Sequence, residues 1–162
     1  MDWRRDRIGS ALLCVAQNPT VLARLPGTFA VLGDVQWLPG YCVLLADQAD
    51  VPSLESLSLE RQTRFLTSMA ILGQAVQSAC QRMDPSFLRL NYEIRGNTDA
   101  FLHAQVWPRY SWEPAERLSK PVWLYSPDRW TSSEHRTGPQ HDIVRRVITE
   151  ELIGRSDAPT VC

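Results

Sequence analysis

The sequence predicts an α+β protein, and three observations carry that reading. Phe65, Met69, Leu72, Val76 and Cys80 fall three or four apart and make the apolar face of one long helix. Short apolar runs bounded by turn residues, at 28–32 and 41–45, read as strands. Residues 89–110 read as strand, tight turn, strand, with Arg95-Gly96-Asn97-Thr98-Asp99 supplying the turn chemistry. A chain of 162 residues suits one domain with a sizeable core, expected over 1–155, followed by a frayed tail at 156–162.

Composition narrows the function classes. The chain is 44% hydrophobic and 22% charged, as ordinary globular proteins are, so a disordered chain is excluded. The net charge of −1 provides no global field for nucleic acid or an anionic membrane, so an anionic ligand must be held by local groups. Of the 17 basic residues only Lys120 is lysine, a bias that points to a GC-rich bacterial genome. Cys14, Cys42, Cys80 and Cys162 form no Cys-x-x-Cys and pair with no histidine at metal-ligand spacing. They read as free thiols in a reducing cytosol, with no metal or cofactor called for. Met1 to Arg7 is followed by too short an apolar run for a signal peptide, and no run approaches a membrane span. A cytoplasmic location is therefore expected.

In chain order, 3–17 has helical spacing with Trp3, Ile8, Leu12 and Val15 as its buried stripe, and Asn18-Pro19 stops it. Residues 21–25 suit a short strand or turn before Pro26-Gly27. The strand at 28–32 leads to a turn at Gly33-Asp34, and Trp37 to Gly40 leads into the buried strand at 41–45. Ser58 is the expected cap of the long helix, which runs to about Met83 and stops at Asp84-Pro85. Residues 87–94 and 101–107 then pair as antiparallel neighbours. Alternation puts Leu102, Ala104 and Val106 on a core face, and Phe101, His103, Gln105 and Trp107 on the other. Pro108 is expected to end that strand, because it cannot donate to a ladder. An aromatic, Pro-rich connection follows, carrying Trp112, Trp123 and Trp130, with 122–125 open to a short strand. A final helix is expected over 141–154, with Ile143, Val147 and Leu152 facing inward.

The stretch from Asn91 through Gly96-Asn97, Phe101-Leu-His103-Ala-Gln105-Val-Trp107 and Pro108-Arg109-Tyr110 resembles the core of the histidine-triad (HIT) superfamily. That family's signature is His-φ-His-φ-His-φ-φ, with φ apolar. The branch resembled is the one that hydrolyses diadenosine polyphosphates, where an Asn…Gly-Asn/Gln segment precedes the triad and Pro-Arg follows it. Both anchors place His103 at the middle position, Phe101 at the first and Gln105 at the third. A slipped register, with His103 first, breaks both anchors. Pro39-Gly40-Tyr41 is similar to the family's Pro-x-His step, with Tyr41 in place of histidine, and Asp50 stands where a second histidine is usual. The resemblance covers roughly 28–110 and describes a degenerate triad.

It implies an antiparallel sheet of about five strands with the long helix packed on it, a C-terminal helix, and a homodimer. It implies chemistry at the α-phosphate of a nucleotide or another phosphorylated small molecule, without a metal. In that role His103 is the nucleophile, with one ring nitrogen held as a donor by a backbone carbonyl so that the other keeps its lone pair. A neutral imidazole suits this near pH 7, since its ordinary pKa is about 6.5. Gln105 would donate to a phosphate oxygen, as the Gln of the galactose-1-phosphate uridylyltransferase branch stands at the same place. Asn91, Asn97 and Thr98 are candidate phosphate ligands, or else plain turn residues. Arg109 offers a fork to a phosphate, and equally suits a solvated charge or a salt bridge. Tyr41 lies near the triad, and Asp34 aligns loosely with the acid that meets the ribose. Trp112, Trp123 and Trp130 are candidates to stack on a base, or to fill a small core. The alternative is a catalytically inactive HIT-like module that binds a nucleotide or phosphometabolite uncleaved, and a transferase using Gln105 is a third reading. No Walker or Rossmann loop and no Gly-x-Ser-x-Gly elbow is present, and His135 and His141, six apart, are not a strong metal pair.

Overall fold

The computed structural model describes residues 18–96 and 100–155. The predicted helix at 3–17, the predicted tail at 156–162, and Asn97 and Thr98 lie outside the described residues. Five strands are formed: β1 (Val21–Leu25), β2 (Thr28–Leu32), β3 (Cys42–Ala46), β4 (Phe87–Ile94) and β5 (His103–Tyr110). They make one sheet in the order β1-β2-β3-β5-β4, with every neighbouring pair antiparallel. The helices are α1 (Leu59–Met83), the single turns α2 (Ala115–Leu118) and α3 (Asp128–Thr131), and α4 (Asp142–Ile153). This is the expected α+β architecture. The β1–β2 hairpin closes on two residues because Gly27 takes φ +72°, a conformation costly for any side chain with a Cβ.

Register sorts the side chains. Ala104 pairs with Leu44 and Ile94, and Val106 with Cys42 and Tyr92, so all six share one face. α1 lies against β2 to β5. The predicted stripe of Phe65, Met69, Leu72, Val76 and Cys80 is buried throughout. Ser58 caps α1, its hydroxyl accepting from the Arg61 N–H at 3.4 Å, and the chain leaves the helix at Asp84. α4 packs beside α1 and β1. It buries Val144, Ile148 and Leu152, a strict i, i+4, i+8 line. The predicted inward face is therefore corrected: Leu152 is inward, Val147 is half-buried, and Ile143 is 62% exposed.

Two further expectations change. β5 runs through Pro108 to Tyr110 instead of ending there. β3 begins at Cys42, opposite Val106, so beyond that point β5 is paired on the β4 side alone, where a proline is tolerated. Residues 122–125 form a 3-10 turn, Val122–Leu124, instead of a strand. The Leu124 N–H donates to the Pro121 carbonyl and the Tyr125 N–H to the Val122 carbonyl, both at 3.1 Å.

Among the described residues no helix is long and apolar enough to cross a membrane. Cys42 and Cys80 are free and buried. Burial pushes the Cys80 thiol from its ordinary 9.0 up to about 11, and burial together with Cys80 raises that of Cys42. The thiolate is the reactive form, and a thiol pushed this far up holds very little of it at pH 8. Iodoacetamide at pH 8, read by peptide mass mapping, is expected to leave both sites unmodified in the native protein and to label both in denaturant. Labelling of Cys80 at the rate of an exposed thiol would contradict this.

Candidate functional site

The sheet face opposite α1 carries the polar groups. Alternation places His103, Gln105 and Trp107 of β5 there, with Asn91 and Glu93 of β4 as the cross-strand partners of Trp107 and Gln105, and with Val43 of β3. Over this face lies a groove of ≈ 350 Å³, lined by Asp34, Tyr41, Gln105, Trp107, Trp123, Trp130 and Arg95 among others.

The loop between β2 and β3 brings Asp34 and Tyr41 to the groove, and Gln36 holds the loop's shape. Its side-chain amide donates to the carbonyls of Gly33 (3.1 Å) and Tyr41 (2.8 Å), while its oxygen accepts from the Gly40 N–H (2.9 Å). Gly40 takes φ +90°, which makes the last turn before the strand. The Tyr41 ring stacks on Trp107, with centroids 3.5 Å apart and planes 4° apart. A Cβ added at Gly33 would lie 2.1 Å from a Tyr41 ring carbon. That ring is 6% exposed and backed by Trp107, so it cannot swing clear. Gly33→Ala is expected to cost about 1–3 kcal/mol by overpacking, seen as a lower urea midpoint at unchanged m-value. Wild-type stability in this variant would show that the ring moves freely.

His103 opens β5 and is half-buried. Its Nδ1 lies 2.8 Å from the Phe101 carbonyl oxygen. A carbonyl only accepts, so Nδ1 carries a proton, and in the neutral tautomer the lone pair is on Nε2. A backbone carbonyl holding one ring nitrogen is the contact expected at this position. The Phe101 ring is fully buried and lies nearly parallel to the imidazole, at 6.3 Å and 15°. Two residues on, the Gln105 side-chain oxygen accepts from Arg95 Nη2 at 3.0 Å. Arg95 also stands 3.3 Å from a Glu93 carboxylate oxygen and 5.6 Å from the Trp123 ring centroid. Continuing the Glu93↔Gln105 and Ile94↔Ala104 register by one residue sets Arg95 opposite His103. Arg95 further lines a second groove of ≈ 490 Å³ with Phe101, Gly96 and Ser53. His103 itself lines neither groove; its neighbours along the chain do, Gln105 the first and Phe101 the second.

No protein-family model matches the sequence, and no curated protein does. Solved structures match in three dimensions. A histidine triad protein from Marinobacter aquaeolei VT8 superposes with TM-score 0.66 at 19% identity, over 84% of this chain and 90% of that one. The fold is that of the histidine-triad proteins. A second such protein, from Sinorhizobium meliloti 1021, gives TM-score 0.63 at 16% identity over 84% and 88% of the two chains. A hypothetical histidine triad nucleotide-binding protein from Sulfolobus tokodaii strain7 gives 0.61 at 9% identity over 83% and 84%. At these identities the match speaks for the backbone path, and the residues on it are this chain's own.

On that histidine-triad fold, the predicted residues are only partly brought together. Tyr41, Asp34, Gln105, Trp123 and Trp130 meet at the groove; His103 is not among its lining residues and stands two positions before Gln105 on the same face of β5. Asn91 is half-buried on the same face, opposite Trp107. Asp50 is exposed in the loop after β3. Trp112 is elsewhere, stacked on Tyr110 at 5.0 Å and 11°. Of the roles open to Arg109, the salt bridge is the one formed and the phosphate fork is not: the residue is fully buried and committed within the protein. Its Nε donates to both Glu113 carboxylate oxygens (3.0 and 3.1 Å), Nη1 to the Lys120 carbonyl (3.0 Å) and Nη2 to the Arg117 carbonyl (2.8 Å). Because β5 continues past Pro108, this side chain ends up beneath the segment after the strand instead of at a strand end in solvent. Among the described residues no group of three His, Cys, Asp or Glu side chains is placed to hold a metal.

Sequence reasoning missed Gln36 and Arg95. Gln36 left no signal, because its bonds depend on a loop shape that sequence does not show. Arg95 left a weak one, since it and Glu93 share a face by alternation.

Proposed function

We propose that the chain is a nucleotide hydrolase or nucleotidyl transferase that works at the α-phosphate through a covalent nucleotidyl-His103. The observation that carries this is the Nδ1 contact to the Phe101 carbonyl, which in the neutral ring directs the lone pair to Nε2. In the first step the Nε2 lone pair forms a P–N bond and the bond from phosphorus to the leaving oxygen breaks. The leaving group departs with that electron pair. In the second step water, or another acceptor hydroxyl, attacks phosphorus; the P–N bond breaks and the acceptor's proton passes to solvent. Gln105 supplies an amide donor for a non-bridging oxygen, and Asn91, Asn97 and Thr98 are carried as further candidates. The aromatic groove, with Asp34 at its edge, takes the nucleoside. One of the structural neighbours is itself named as nucleotide-binding.

Phe101 and Gln105, which flank the nucleophile, hold no titratable proton. This favours a leaving group that departs as a stable anion, so phosphoanhydrides of the diadenosine-polyphosphate type are the default substrates over amidates. The same observation favours a second reading, a module that binds such ligands uncleaved. Intact-protein mass after brief, acid-free mixing with a nucleotide panel separates the two. A nucleotide adduct on wild type and none on His103→Ala supports the enzyme; saturable binding with neither adduct nor product over long incubation supports the module.

A cytosolic homodimer belongs to the same proposal. β4 is an edge strand with Leu88 and Tyr92 exposed, which supports pairing with a second copy.

A further inference from the structure

We propose that Arg95 is a positioning residue that locks the Gln105 amide with its NH₂ toward the ligand, so that the site accepts an anionic oxygen and turns away a donor. The inference rests on the phosphate reading above and adds a residue to it. A glutamine amide has two chemically opposite ends that pack alike, and its direction is set by its partners. Arginine has donors only, so the end of Gln105 that meets Arg95 Nη2 at 3.0 Å is the carbonyl oxygen. The NH₂ is thereby turned away from Arg95, on a side chain that lines the groove. Arg95 in turn is held from two sides, by the Glu93 carboxylate at 3.3 Å and by the face of Trp123 at 5.6 Å. A cationic donor on the carbonyl also polarises the amide and strengthens its N–H groups. Without Arg95 the amide is free to rotate by half a turn and present its lone pairs to a phosphoryl oxygen. The Glu93 pairing largely cancels the charge of Arg95, so its effect runs through Gln105 more than through a net field.

The test is calorimetric binding of nucleoside 5′-monophosphates and the matching nucleosides to the full chain. The proteins are wild type, Arg95→Met, Gln105→Leu and the double variant, each checked by thermal melting. Arg95→Met is expected to weaken monophosphate binding about tenfold while nucleoside binding stays within about twofold. Gln105→Leu is expected to do the same, and the double variant to be no weaker than either single one, because the two act as a unit. Arg95→Lys, which keeps a charged donor, is expected to bind within about threefold of wild type. Additive losses would overturn the proposal in favour of a direct Arg95–phosphate contact. So would full rescue of Arg95→Met by Glu93→Gln, which would make the loss a matter of an unpaired carboxylate. Equal losses for nucleoside and monophosphate would point to the Trp123 contact instead. If wild type binds no nucleotide, the functional reading itself falls; if it binds and Arg95→Met is silent, only this inference falls.

Discussion

Replacing His103 with alanine is expected to abolish turnover of nucleoside phosphoanhydrides, by at least about 10³-fold, while leaving the fold intact. Both halves follow from where the ring sits. His103 is half-buried at the start of β5, outside the buried apolar core, and among the described residues its one hydrogen bond is the local contact to Phe101. Removing it takes away one local hydrogen bond and leaves the core side chains in place, so a melting temperature within a few degrees of wild type is expected. The chemistry has no substitute, because the neighbours on that face, Phe101 and Gln105, are not nucleophiles. Product analysis by chromatography beside thermal melting checks both halves at once. Retained turnover with retained fold would sink the covalent mechanism outright.

Replacing Arg109 with methionine is expected to cost about 3–5 kcal/mol of stability, the largest loss foreseen at a polar position. The guanidinium and the Glu113 carboxylate are both wholly buried. Among the described residues, Glu113 would keep the Tyr110 N–H (2.8 Å) and the Tyr125 hydroxyl (2.7 Å) as its donors to a buried negative charge. The carbonyls of Arg117 and Lys120 would lose their donor as well. The network also fastens the segment that carries Trp123 over the groove, so nucleotide binding should weaken along with stability. Burial and the Glu113 hydrogen bond raise the Tyr125 hydroxyl above its ordinary range, so it stays protonated as a donor across the working pH range. A denaturant titration measures the loss, and Arg109→Met combined with Glu113→Leu should recover part of it, since a buried pair replaced whole by apolar groups leaves no orphaned charge. A cost below about 1 kcal/mol would show that the pair is not buried in solution.

Much of the scaffold was readable because it is written locally. The α1 stripe, its Ser58 cap and its stop at Asp84 depend on residues a few positions apart, and they appear where the spacing put them. The strands at 28–32, 41–45 and 87–94 were legible for the same reason, as runs between turn residues, each within a residue of its observed limits. At the site, the flanking Gly96 and Pro108 singled out His103, and alternation put Gln105 beside it on one face.

What the sequence by itself determined is therefore the set of elements and the polar character of one face of β5, since both arise from side chains within one or two turns of each other. What only the tertiary structure decided is which charges are available to a ligand. Arg109 and Arg95 are chemically alike, and sequence assigned the first to the site and passed over the second. β3 begins only at Cys42, opposite Val106, which lets β5 run on unpaired on that side and buries Arg109 against Glu113; Arg95, just past the end of β4, reaches the Gln105 side chain of β5. Strand ends and register are settled by pairing between segments distant in the chain, and no local pattern records them.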